Sequence, residues 1–74
     1  MKKETLEKIF KKNFTKINLY GNSKDVQFND TSIPKKNIII EEDCIIVTYP
    51  RTKKYIDIDS IKFIEILNSN GAWD

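Results

Sequence analysis

The second half of the chain alternates apolar and polar positions in short runs that are separated by turn residues. Ile45, Val47 and Tyr49 fall on one side of a strand, and Ile56 and Ile58 repeat the pattern one strand later. A period of two places every second side chain on one face of a sheet. We therefore expect antiparallel strands at 38–42, 44–49, 54–59 and 62–67, with a bend joining the last two.

The first half of the chain predicts a helix followed by two more strands. One apolar stripe at helical spacing is formed by Leu6, Ile9, Phe10 and Phe14. This stripe predicts a helix over residues 4–14 that docks on the core. Alternation resumes at 15–20 and 25–29, with a turn expected at 21–24. Residues 29–32 are expected to end the second strand, and residues 33–37 to form a loop.

This order of elements predicts a single α+β domain over residues 1–74. The N-terminal helix would cap a five-stranded antiparallel meander, counting the two strands joined by the bend as one. Closure into a small SH3- or Sm-like barrel would hide the edges of isoleucine-rich strands. An open sheet with the helix on one face is the alternative. Residues 68–74 are expected to be a polar tail.

The same order resembles that of the Sm-like RNA-binding barrels, including the bacterial Hfq type, over residues 5–66. The Hfq-type family closes its barrel with a Tyr-Lys-His-Ala-Ile-Ser segment, which falls on residues 57–62 when its isoleucine is placed at Ile61. Ile58 and Asp59 replace the basic residues that such proteins use for RNA, and residues 25–28 lack the glycine usual in the second strand. The resemblance implies the barrel but argues against RNA binding at this segment.

Charge and composition narrow the function classes only slightly. The net charge is +2, but residues 1–36 carry nine lysines and four acidic residues, whereas residues 37–74 carry four basic and seven acidic residues. The basic half is either a solvated surface or a face for phosphates or an acidic partner.

Twelve lysines against one arginine, with many isoleucines and asparagines, indicate an AT-rich genome. A small domain from such a genome suggests a phage or mobile element.

Catalytic motifs are missing from the sequence. There is no histidine for acid–base chemistry near neutral pH, and the two glycines do not form a phosphate loop. Cys44 is the single cysteine, and its isoleucine neighbours predict a buried, unreactive thiol. Asp57 and Asp59 are expected to share a solvated strand face. We therefore expect no enzymatic activity, no cofactor and no metal.

The sequence also predicts a cytoplasmic protein without membrane contact. No apolar run approaches the length of about 20 residues that spans a bilayer. No apolar segment follows Lys2 and Lys3, so a secretory signal is not indicated.

Two stretches are candidate binding sites. The first, the basic turn, is formed by Tyr49, Arg51, Lys53, Lys54 and Tyr55. Arginine beside aromatic rings suits stacking and contact with phosphate or carboxylate groups. A solvated turn whose tyrosines pack on the sheet is the alternative.

The second candidate is an apolar strip of Phe63 and Leu67, which alternate with Ile64 and Ile66. If these isoleucines are core residues, the strip faces outward and marks a partner or self-association surface. Trp73 either seals the core or joins this surface as an anchor.

Together these features predict a small non-enzymatic interaction protein, encoded by a phage or mobile element, that binds and modulates a host protein as an inhibitor would. Self-association through the same strip is a further possibility. The alternative is a small β-barrel that binds nucleic acid or an anionic nucleotide through the basic turn.

Overall fold

The computed structural model describes residues 1–68, in which one helix precedes six strands. The helix α1 spans Lys3–Phe10, and the strands are β1 Lys16–Ser23, β2 Val26–Pro34, β3 Ile38–Ile40, β4 Cys44–Thr48, β5 Lys53–Asp57 and β6 Ile61–Leu67. Short 3-10 turns at Lys35–Asn37 and Ile58–Ser60 connect β2 to β3 and β5 to β6. The helix is not long and apolar enough to cross a membrane, nor is any other helical segment within residues 1–68.

The strands form two three-stranded antiparallel sheets. The first sheet has the order β2-β1-β6 and the second the order β3-β4-β5. Strand β1 pairs on one side with its neighbour in sequence and on the other with β6, where Leu19 lies opposite Ile64. The predicted α+β class with an N-terminal helix is confirmed.

The predicted five-stranded meander is wrong, because six strands are present and β1 pairs with β6 across the length of the described chain. The 3-10 turns at Lys35–Asn37 and Ile58–Ser60 interrupt the strands where the chain passes between the sheets. No ladder joins the two sheets within residues 1–68, so the predicted closed barrel is not formed there.

The core lies between the sheets and the helix. Its buried side chains are Leu6, Phe14, Ile17, Leu19, Ile33, Ile45, Val47, Ile58 and Ile61. The alternation in β1 and β4 is therefore confirmed. The amino nitrogen of Met1 donates hydrogen bonds to the backbone oxygens of Ile58 and Ile61, 3.2 and 2.9 Å away, which fixes the start of the chain beside the second 3-10 turn.

The helix is shorter than the predicted 4–14, although its apolar stripe still reaches the core. The amide of Lys12 donates to the carbonyl of Ile9, a tighter bond than the helical pattern, and the helix ends there. Phe14 is nevertheless buried, with its ring 5.5 Å from that of Phe10 and the Lys35 ammonium 4.4 Å above its centroid. The loop after the helix therefore carries Phe14, the fourth residue of the predicted stripe, into the core.

Gly21 is not part of the predicted turn at 21–24. Strand β1 continues through it, and the turn lies at Lys24 and Asp25, whose φ angles are 49° and 68°. A Cβ atom at Gly21 would collide with the Ser60 carbonyl oxygen and lie 2.6 Å from Phe28 Cζ. The glycine is required because the second 3-10 turn approaches the strand closely.

The polar run 29–32 remains within β2 and does not end it, and Ile33 belongs to the same strand. The register with β1 slips between Ile17 and Leu19, which accommodates an extra residue in β2. Ser32 has a φ of 56°, and its amide donates to Asn18 Oδ1 at 2.7 Å. The Asn18 side chain of β1 thus accepts a hydrogen bond from the Ser32 amide at the point where the ladder is irregular.

Candidate functional site

The strip of Phe63 and Leu67 lies on the outer face of the first sheet. Phe63 is 55% exposed and Leu67 is 38% exposed, while Ile64 between them is half-buried against the core. Ile66 belongs to the inner face by alternation, yet it is exposed near the end of β6. Trp73 lies outside the described residues.

Tyr20 extends this strip onto β1. Its ring is opposite Phe63 in the strand register, and the two ring centroids are 5.4 Å apart. The Tyr20 hydroxyl donates a hydrogen bond of 2.8 Å to Glu65 Oε1, and Asn18 Nδ2 donates to the same oxygen at 3.3 Å. The hydrogen bond to Glu65, with contributions from burial and the carboxylate charge, raises the pKa of Tyr20. These contacts hold a neutral Tyr20 ring beside Phe63.

The basic turn connects β4 to β5. The amide of Tyr49 donates to the Thr52 carbonyl at 2.8 Å and closes the turn. Arg51 and Lys53 are exposed. The two tyrosines do not flank one surface, because Tyr49 packs against the core whereas Tyr55 lies opposite Ile46 on the outer face. The two tyrosines of the basic turn therefore lie on different faces of the second sheet.

Lys54 is half-exposed, but unlike Arg51 and Lys53 it is directed toward β2 by an ion pair. It lies opposite Val47, and its Nζ is 2.7 Å from Asp30 Oδ1 on β2. The hydrogen bond to Asp30 raises the pKa of Lys54. Sequence reasoning missed Asp30, although the alternation of Val26, Phe28 and Asp30 could have placed it on the inner face.

A row of apolar side chains crosses the outer face of the second sheet. Ile39 pairs with Ile46, and Ile46 pairs with Tyr55. Ile39 and Tyr55 are 53% and 66% exposed, and Ile46 is half-buried. The run Ile38–Ile40 could have indicated this outer row from the sequence, because three consecutive isoleucines in a strand cannot all face the core.

Cys44 is half-buried, not fully buried as predicted. It faces outward because its neighbour Ile45 occupies the inner side of β4. Burial, followed by the nearby charges of Asp43, Glu41 and Asp57, raises the pKa of the thiol. The thiol is consequently protonated at neutral pH and a poor nucleophile.

Asp57 and Asp59 do not share a strand face, because β5 ends at Asp57 and Asp59 belongs to the following 3-10 turn. Within residues 1–68, histidine, cysteine, aspartate and glutamate side chains form no cluster of three or more that could hold a metal ion.

Two depressions mark the surface near the β1–β2 hairpin. A polar groove of about 560 Å³ is lined by Tyr20, Gly21, Asn22, Gln27, Phe28, Asn29 and Lys62. A cleft of about 280 Å³ opens between β2 and β5 and is lined by Ser23, Phe28, Asp30, Lys54, Tyr55, Ile56, Asp57 and Ser60. The second depression, hereafter the β2–β5 cleft, contains the Lys54–Asp30 ion pair.

Comparisons of the chain with protein-family models, with curated proteins and with solved structures found no match.

Proposed function

We propose that this chain is a small non-enzymatic interaction protein that binds another protein through the outer face of its first sheet. The observation that carries the proposal is the exposure of Phe63 beside a Tyr20 ring whose hydroxyl is already bonded to Glu65. Aromatic side chains are enriched in protein interfaces, where one or two of them contribute much of the binding energy.

The geometry of this face suits a partner protein. The Tyr20 ring is held by its hydrogen bond to Glu65 and contacts the Phe63 ring, so less side-chain entropy remains to be lost on binding. Leu67 extends the apolar area along β6, and the Glu65 carboxylate between Phe63 and Leu67 adds a polar contact. The composition supports a phage or mobile element as the source, and hence a host protein as the partner that is modulated.

We further propose a cytoplasmic setting. Cys44 is a free thiol, and unpaired cysteines are typical of reducing compartments.

The test replaces Phe63 with lysine and compares it with Val26→Lys. Val26 is an equally apolar, exposed residue at the hairpin end of β2, so its replacement controls for added charge. The immobilised protein is exposed to host-cell lysate, and the mass of each variant in solution is measured by light scattering. We expect Phe63→Lys alone to abolish partner capture, or self-association if the partner is a second copy. Retention of both properties by Phe63→Lys would overturn the proposal.

The alternative, binding of nucleic acid or an anionic nucleotide, rests on the exposed Arg51 and Lys53 near the exposed Tyr55 ring. Its test is a gel shift with single-stranded RNA and DNA, together with a nucleotide titration, across a series of salt concentrations. The double variant Arg51→Ala, Lys53→Ala leaves the Lys54 ion pair intact, and Lys36→Ala is the exposed-lysine control. Phosphate-driven binding would weaken steeply with salt and fall more than about tenfold in the double variant. No binding by the wild-type protein at low salt would eliminate this alternative.

A further inference from the structure

The β2–β5 cleft lies between strand edges that have no strand partner. Strand β2 pairs only with β1, and β5 pairs only with β4, among the strands of residues 1–68. Side chains and not a ladder therefore fill the corner between the two sheets. The cleft measures about 280 Å³, slightly below the range of about 300–1,000 Å³ that is usual for drug-sized ligands. Its size suits a single side chain or a small molecule.

The cleft carries an excess of negative charge. Asp30 and Asp57 line it, and Lys54 is the one cation among its lining residues. Asp30 uses Oδ1 to accept the hydrogen bond from Lys54. Its side chain is only 10% exposed, and its Oδ2 atom has no hydrogen-bond donor among the described residues. A carboxylate oxygen that is removed from water without a donor is unfavourable, and a ligand that supplies the donor relieves that cost.

The remaining walls suit a cation. The lining residues also include the aromatic Phe28 and Tyr55, the apolar Ile56 and the polar Ser60. Aromatic faces attract ammonium and guanidinium groups, and a carboxylate forms its strongest hydrogen bonds with the same groups. An anionic ligand would meet two carboxylates, whereas a neutral apolar ligand would leave Asp30 Oδ2 without a donor.

We propose that the β2–β5 cleft binds an organic cation, a guanidinium or primary amine on a short alkyl chain, such as the side chain of an arginine. The cation donates to Asp30 Oδ2 while Lys54 keeps Oδ1. Because Oδ2 is screened from water, the carboxylate turns about its Cβ–Cγ bond when the ligand enters, and the half-exposed Lys54 side chain moves with Oδ1. The alkyl stem lies against Phe28 and Tyr55.

The test uses isotope-labelled protein and follows backbone amide shifts during titration with N-acetyl-arginine-N-methylamide. The citrulline analogue, which has nearly the same shape but no charge, is the matched control ligand. The lysine analogue distinguishes guanidinium from primary amine, and an arginine-containing peptide distinguishes a partner's side chain from a free small molecule. We expect saturable shifts centred on Phe28, Tyr55 and Ser60, with a dissociation constant in the millimolar range for the single residue. The citrulline analogue should cause little change.

Two variants test the assigned carboxylates. Asp30→Asn should weaken binding of the arginine analogue by about tenfold or more, and Asp43→Asn, at an exposed acid outside the cleft, should not change it. Where Asp30→Asn fails to fold, Asp57→Asn serves in its place, with a weaker effect expected. Equal shifts with the citrulline analogue, shifts that map elsewhere, or unchanged affinity in a folded Asp30→Asn variant would overturn the proposal. Phe63→Lys should leave this titration unchanged, so the result is independent of the proposed protein interface.

Discussion

Lys54 Nζ on β5 lies 2.7 Å from Asp30 Oδ1 on β2, so that one ion pair joins the edge strands of the two sheets. Lys54 is opposite the buried Val47 and Asp30 is opposite the buried Leu19. The Asp30 side chain is 10% exposed, whereas the Lys54 side chain reaches it from the rim of the sheet and is 50% exposed. The pair occupies the corner at which no hydrogen-bonded ladder connects the sheets. Side-chain electrostatics thus contribute to a junction that backbone pairing leaves open.

Removing Lys54 should destabilise the protein more than removing its exposed neighbour Lys53. Lys54→Ala removes the donor to Asp30 Oδ1, and the Asp30 side chain is only 10% exposed in the intact pair. We expect a loss of about 1–3 kcal/mol in the free energy of unfolding, measured by urea denaturation. Lys53→Ala is the control and should change that free energy by less than about 0.5 kcal/mol. Equal unfolding midpoints for the two variants would show that the ion pair does not stabilise the corner.

Gly21→Ala should destabilise the protein even though alanine is favoured over glycine in a regular strand. The added methyl group would collide with the Ser60 carbonyl and approach Phe28. The carbonyl belongs to the backbone and cannot swing aside, so we expect a cost of about 1–3 kcal/mol, as is usual for overpacking. The measurement is the thermal midpoint, with the exposed Asn22→Ala as the adjacent control. A near-wild-type midpoint for Gly21→Ala would mean that the 3-10 turn at Ile58–Ser60 does not require the glycine.

Tyr20 should titrate at a higher pH than an ordinary tyrosine, whose pKa is 10.0. The hydrogen bond to Glu65 favours the protonated phenol, so the raised pKa makes a stabilising contribution that is fully present below pH 10.0 and is lost as the pH rises through the folded-state pKa. An ultraviolet titration of wild type against Tyr20→Phe identifies the late-titrating tyrosine among the three in the sequence.

Glu65→Gln should lower the Tyr20 titration midpoint, because it removes both the charged acceptor and its repulsion of the phenolate. Tyr20→Phe should lose less stability than wild type between neutral and strongly alkaline pH. A Tyr20 midpoint unaffected by Glu65→Gln would contradict the assigned hydrogen bond.

Cys44 should react slowly with a thiol reagent in native buffer at neutral pH and rapidly in denaturant. The thiol is half-buried, and its surroundings, burial first and then nearby carboxylates, raise its pKa. Asp43→Asn should increase the native rate modestly by removing one of those charges, whereas Asp25→Asn, at the distant hairpin, should not. Equal rates in native buffer and in denaturant would show an accessible, reactive thiolate.

The sequence by itself determined the class of the fold and most of the core. Alternation identified the inward positions Ile17, Leu19, Ile45 and Val47, and the helical stripe identified Leu6, because burial of apolar side chains follows the period of the backbone. It also placed Phe63 and Leu67 outward for the same reason. These predictions depend only on the order of residues within one strand or helix.

Only the tertiary structure decided which strands pair and where polar residues face. Gly21 appeared to be a turn residue, and its real constraint, the Ser60 carbonyl, lies far away in the chain. The polar run 29–32 appeared to end a strand, yet pairing with β1 and the hydrogen bond from the Ser32 amide to Asn18 keep it in the sheet. Lys54 appeared to be a free cation of the basic turn, but an ion pair with Asp30 directs it to the sheet corner. Each outcome depends on a partner distant in sequence, and the spacing of residues along one segment carries no information about such a partner.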